Sequence, residues 1–94
     1  MARRRYLIAY DIADPRRLRM TVKLMEDFGT RLQYSVFLCD LRRAELFAWR
    51  ELLADIIELE EDSVVVIDLG AVGTTPIEII GLSKGLPREG PLIV

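Results

Sequence analysis

One apolar stretch limits this chain more than any other: Tyr6-Leu7-Ile8-Ala9-Tyr10-Asp11-Ile12. Its length and its aromatic and β-branched content are those of a buried strand, and Asp14-Pro15 then supplies a helix start. An acidic residue at the end of such a strand leaves a rigid sheet close to solvent. Asp11 is therefore placed to hold a cation or a substrate. The alternative is that it caps the following turn, as Asp often does.

Asp14 reads as the N-cap and Pro15 as the first helical residue, where a missing N–H costs nothing. Leu18, Val22, Met25 and Phe28 recur at helical spacing and predict a helix closed by Gly29. From Arg31 to Leu41, Leu32, Tyr34, Val36 and Leu38 alternate with Gln33, Ser35, Phe37 and Cys39, which is β structure with bulky groups on both faces. The pattern fits one strand or a hairpin turning near Tyr34-Ser35, and no Asn-Gly or Asp-Gly marks a turn. Asp40 is the candidate cap of a second helix, Arg43 to Glu58, with Leu46, Trp49, Leu53 and Ile56/Ile57 as its buried stripe. Trp49 is expected as a core anchor rather than a base-stacking platform. Glu58, Glu60, Glu61 and Asp62 read as an exposed acidic linker. Val64-Val65-Val66-Ile67 is a further buried strand that ends at Asp68. Ile77-Glu78-Ile79-Ile80 and Pro91-Leu92-Ile93-Val94 are short strand candidates on either side of a loop, Ser83 to Gly90.

If the middle segment is a hairpin, this order is the βαββαβ ferredoxin-like arrangement, an α+β fold with both helices on one face of an antiparallel sheet. Ninety-four residues make a single domain, 1–94, with nothing spare to cover the other face. A face-to-face homodimer is the economical solution. Residues 77–94 are expected to form an extension that pairs with the partner subunit's sheet.

Half the chain is apolar and 30% is charged, a globular composition. No stretch has the roughly 18 consecutive apolar residues of a membrane span, and no signal-peptide pattern opens the sequence. The lone Cys39 sits in an apolar run and is expected as a buried thiol. A cytoplasmic protein with no membrane association is the expectation. The net charge of −2 hides an asymmetry: residues 1–43 carry +5 and residues 44–94 carry −7. Eleven of the thirteen cations are arginine, the residue suited to bidentate phosphate contacts. A basic face of this kind binds nucleic acid through its local field, or else it is a solvated face paired with the acidic half.

Histidine is absent, which removes Ser-His-Asp and Cys-His catalysis and every His-containing zinc site. One cysteine rules out thiolate clusters, and no Gly-rich phosphate loop precedes a helix. Hard-cation chemistry survives: Asp oxygens holding Mg²⁺ or Mn²⁺, with arginines to gather phosphate. One Asp is too few ligands, and a two-fold axis beside it would supply a second.

The strand end Tyr10-Asp11-Ile12, followed by Asp14 and the Arg cluster, and then Arg31-Leu32-Gln33-Tyr34-Ser35-Val36-Phe37, closely resembles the CRISPR-associated protein 2 family. Glu61-Asp62-Ser63-Val64 and the terminal Pro-Leu-Ile-Val continue the likeness over nearly the whole chain. The resemblance implies a ferredoxin-like homodimer with Mg²⁺ or Mn²⁺ shared by the two copies of Asp11. It implies a metal-dependent endonuclease acting on single-stranded RNA or on DNA in spacer acquisition, with the CRISPR adaptation integrase as partner. It equally implies a second role, a non-catalytic scaffold for prespacer DNA. Asp11 would be catalytic residue and metal ligand, supported by Tyr10. Arg16, Arg17, Arg19 and Arg31 would hold phosphate. Ser35 and Phe37 would lie near Asp11 at the dimer axis, with Phe37 as interface core the alternative. A third possibility is an unrelated small ferredoxin-like oligomerisation or regulatory domain.

Overall fold

The structure, a computed structural model, describes residues 2–82. The elements run β1 (Arg4–Asp11), α1 (Pro15–Phe28), β2 (Thr30–Gln33), β3 (Val36–Leu41), α2 (Arg43–Ala54) and β4 (Ser63–Ala71). They form one four-stranded antiparallel sheet in the order β2-β3-β1-β4, which is the ferredoxin-like topology. The apolar run at the start becomes a central strand, paired on both sides, with Ile8 facing Phe37 of β3 and Val66 of β4.

Period-two alternation divides β1 between two surroundings. Tyr6, Ile8 and Tyr10 point to the helices and join Phe37, Cys39, Leu41, Met25, Leu46, Trp49 and Leu53 in one core. Leu7, Ala9 and Asp11 take the opposite face, which carries no helix. Trp49 is the anchor expected of it, fully buried with its indole N–H donating to the Met25 sulfur at 3.2 Å. Burial pushes the Cys39 thiol up to about 12, so it packs as a neutral group.

One open choice is decided in favour of the hairpin, and several local expectations are corrected. The Arg31–Leu41 segment is a hairpin, and its two turn residues, Tyr34 and Ser35, keep negative φ. The turn therefore needs neither Gly nor Asn, and a register irregularity between Arg31 and Gln33 absorbs the mismatch. Gly29 closes α1 in extended rather than left-handed backbone (φ −159°). Its reason is space: a Cβ there would sit 2.6 Å from the Leu38 carbonyl oxygen and collide with the Cys39 sulfur. Helix α2 ends at Ala54, short of Glu58, and Asp40 does not cap it. Asp40 pairs with Arg5 at 2.8 Å, while Glu45 reaches back to the Arg42 N–H at 2.8 Å. Of the strand candidate Ile77–Ile80, only Ile79 forms an isolated bridge. Pro91–Val94, the loop before it and most of the expected 77–94 extension lie outside the described residues.

The face without helices is covered in part. Ile77, Ile79, Ile80 and Leu82 approach Leu7, Leu32 and Val36 across its β2–β3 half. On its β4 half, Val65 and Ile67 remain 53% and 46% exposed. Among the described residues no helix is long and apolar enough to cross a membrane.

Candidate functional site

Asp11 ends β1 on the open face, opposite Ser63 of β4. It is exposed, and its carboxylate meets neither a cation nor a hydrogen-bond donor among the described residues. The capping alternative is not realised. Asp14 performs that task, accepting from the Arg17 N–H at 2.9 Å, and Pro15 follows at the first helical position.

Tyr10 points the other way and is buried, with its ring 6.2 Å from that of Phe37. Its hydroxyl donates to the Tyr34 carbonyl at 3.3 Å, and its N–H donates to the Ser35 carbonyl at 3.1 Å. Burial raises the Tyr10 pKa against the opposing pull of Arg31, so the phenol stays a protonated donor. These bonds dock the hairpin turn, through the Tyr34 and Ser35 carbonyls, on the residue before Asp11. Phe37 is placed elsewhere. It is fully buried under the helices, in register with Ile8, and so packs the protomer core rather than the open face.

The arginines separate into three environments. Arg16 and Arg19 are exposed on α1 and pair with no carboxylate among the described residues. Arg31 is half-buried, its guanidinium carbon 5.5 Å from both the Tyr34 and the Phe37 ring centroids, and it donates to the Tyr34 carbonyl at 3.0 Å. Arg17 is held in an ion pair. Its Nε donates to Asp62 at 2.8 Å, and a terminal nitrogen donates to Glu61 at 2.9 Å and to the second Asp62 oxygen at 3.2 Å.

Asp62 is the residue sequence reasoning missed. Its side chain is wholly buried, against an expectation of an exposed linker. Besides Arg17 it accepts from the Glu58 N–H at 2.8 Å and the Ala13 N–H at 2.9 Å. The Arg17 guanidinium, helped by those two backbone donors, keeps the Asp62 carboxyl well below the usual carboxylate range. Asp62 thereby ties the start of α1, the loop after Asp11 and the turn before β4 into one unit. The available signal was the run Glu61-Asp62-Ser63-Val64 standing immediately before a strand that pairs with β1.

Comparison with known proteins agrees with this geometry. Residues 4–73 match the family model described as CRISPR associated protein Cas2. A protein of Rhodospirillum rubrum called CRISPR-associated endoribonuclease Cas2 1 is 37% identical over 91 residues, covering 94% of this chain and 89% of its own. CRISPR-associated endoribonuclease Cas2 3 of Synechocystis sp. is 40% identical over 89 residues, covering 95% and 97%. Among solved structures, a hypothetical protein from Thermus thermophilus superposes with a TM-score of 0.79 at 28% identity, covering 87% of this chain and 95% of that one. An unrelated small regulatory domain is thereby set aside.

Proposed function

Because the chain belongs to the CRISPR-associated protein Cas2 family, we propose that it is a metal-dependent endonuclease cutting phosphodiester bonds of RNA or DNA. It would act as a homodimer alongside the CRISPR adaptation integrase. The observation that carries this reading is Asp11, a carboxylate fixed at the end of the central strand on the open face and unpaired among the described residues. Val65 and Ile67, on that same face, offer apolar surface to a second copy.

One Asp11 is short of a metal site, and no group of three metal-capable side chains gathers among the described residues. Carboxylate oxygen suits a hard cation such as Mg²⁺ or Mn²⁺, and Asp11 would hold one together with Asp11 of a second copy. When bound, such an ion supplies Lewis-acid stabilisation of the phosphate and an acidified water. The chain's own residues position the substrate. Arg16 and Arg19, exposed on α1, attract phosphates, and Tyr10 with the docked Ser35 turn fixes the backbone next to Asp11.

The test is cleavage of labelled single-stranded RNA and duplex DNA by wild type and Asp11→Ala, in Mg²⁺ and in EDTA. Wild type should cut only with Mg²⁺, and the variant should lose roughly two to three orders of magnitude, the scale of removing an electrostatic contact made to the transition state. Equal cutting by the variant would trace the activity to a contaminant and end the proposal.

The unpaired cations of α1 favour a second reading, a scaffold that binds prespacer DNA without cutting it. In that case Asp11→Ala leaves spacer acquisition intact, whereas Arg19→Ala impairs it.

A further inference from the structure

A cleft of about 430 Å³ runs between α1 and the β2–β3 turn. Leu18 and Val22 floor it, Arg19, Lys23 and Arg31 edge it, Tyr34 walls it, and Glu26 is the one acid in its lining. Tyr34 is 74% exposed. A lone surface aromatic is ordinary, but this one is held in place. The Arg31 guanidinium lies against its ring at 5.5 Å, and the Tyr34 carbonyl accepts from both Arg31 and the Tyr10 hydroxyl. Arg31 in turn lies 5.5 Å from the ring of Phe37, which is fully buried, so the platform rests on the core. The Arg31 Nε is buried and meets no acceptor among the described residues.

We propose that this cleft is a subsite for an unpaired nucleic-acid strand, one base stacking on Tyr34 while Arg19 and Lys23 take the neighbouring phosphates. The proposal rests on the reading of the chain as a protein that handles nucleic acid, and adds to it a place where an unpaired strand is held. Stacking on an exposed ring tolerates any base, and cations along the same path track the backbone. Three cations against one acid give the matching charge. A ring already ordered by Arg31 loses little freedom on binding. Bases inside a duplex are stacked on each other and cannot use it.

Binding is measured in EDTA, so that no cutting intervenes. Wild type, Tyr34→Ala, Tyr34→Phe and Lys23→Ala are titrated with fluorescent single-stranded oligodeoxythymidine and with a duplex of equal length over a salt series. Tyr34→Ala should weaken single-strand binding roughly five- to a hundredfold while duplex binding stays within about twofold, and Tyr34→Phe should retain the wild-type affinity. Lys23→Ala should reduce the magnitude of the single-strand salt slope by about 0.7. A melting curve for Tyr34→Ala that overlays wild type establishes that the fold is intact. Unchanged single-strand affinity in Tyr34→Ala, or an equal loss on the duplex, overturns the subsite. Failure of wild type to bind single strands overturns it too, and leaves the cleft to a protein partner. If the subsite falls while cleavage still requires Asp11, only the subsite is lost. If the Tyr34 effect holds while cleavage ignores Asp11, only the nuclease reading is lost.

Discussion

Two aspartates stand at neighbouring strand ends and have opposite surroundings. Asp11 closes β1, and Asp62 immediately precedes β4, whose Ser63 lies opposite Asp11. Asp62 is buried and saturated by Arg17, Ala13 and Glu58; Asp11 is exposed and its carboxylate is unpaired among the described residues. A buried carboxylate is tolerable only with a complete set of partners. Asp62 has that set, and one of its donors, the Ala13 N–H, lies two residues beyond Asp11. One acid fixes the loop, and the other is thereby held still without being used up. The comparison also divides the arginines. Arg17 belongs to the fold, while Arg16 and Arg19 stay available to a ligand.

The sharpest way to break this contrast is Asp62→Ala. It strands the Arg17 guanidinium beside Glu61 alone and leaves the Ala13 and Glu58 N–H groups without their acceptor. It should lower the melting temperature more than Arg17→Ala or Asp11→Ala does. Arg17→Ala should follow closely, because it leaves the Asp62 carboxylate buried with backbone donors only. The double variant should be far less destabilised than the sum of the two, as contacting residues require. An Asp62→Ala protein that melts with wild type would dissolve the distinction.

Next in size is an acid effect. The folded-state pKa of Asp62 is lowered, so its contribution to stability is complete above the ordinary carboxylate range. It is lost as the pH falls below about 3.9, the unfolded value, toward the folded one. Stability of wild type measured by urea unfolding should therefore drop more steeply below about pH 4 than that of Asp62→Asn. Asp68 and Glu45, also lowered, add to the slope in both proteins equally. Parallel curves for the two proteins would remove Asp62 from the account.

Much of the architecture was written in periodicity. The alternation of Tyr6, Ile8 and Tyr10 against Leu7, Ala9 and Asp11 already separates a core face from an open one, and the two helical stripes find it. The hairpin near Tyr34-Ser35 stands in the sequence only as one of two readings, because its turn uses no left-handed residue and so carries none of the usual signals. Phe37 was misplaced for want of register: a residue opposite Ile8 must share its face, but that pairing follows only once the turn is located. Gly29 was legible as a helix end, and its actual cause, contact with β3, is not local. Asp62 was the hardest. Four acids in one short turn look equally solvated, and the cation that draws one of them inward stands 45 residues earlier, on another element. Long-range pairing of that kind has no period to betray it.

The smallest expected change tests the free member of the pair. Asp11→Ala removes no hydrogen bond and no ion pair among the described residues, so its stability in EDTA should stay within about 0.5 kcal/mol of wild type, the range of a surface substitution. If two copies of Asp11 face each other across a two-fold axis, deleting like charges should make the dimer slightly tighter, which appears as a slightly higher melting temperature than that of wild type at the same protein concentration. Added Mg²⁺ then separates the two proteins. An ion held by paired carboxylates binds only the folded dimer and raises the wild-type melting temperature by mass action, and the variant should show no such rise. A marked loss of stability in EDTA would mean that Asp11 does structural work like Asp62. An equal response of both proteins to Mg²⁺ would place the cation away from the strand end.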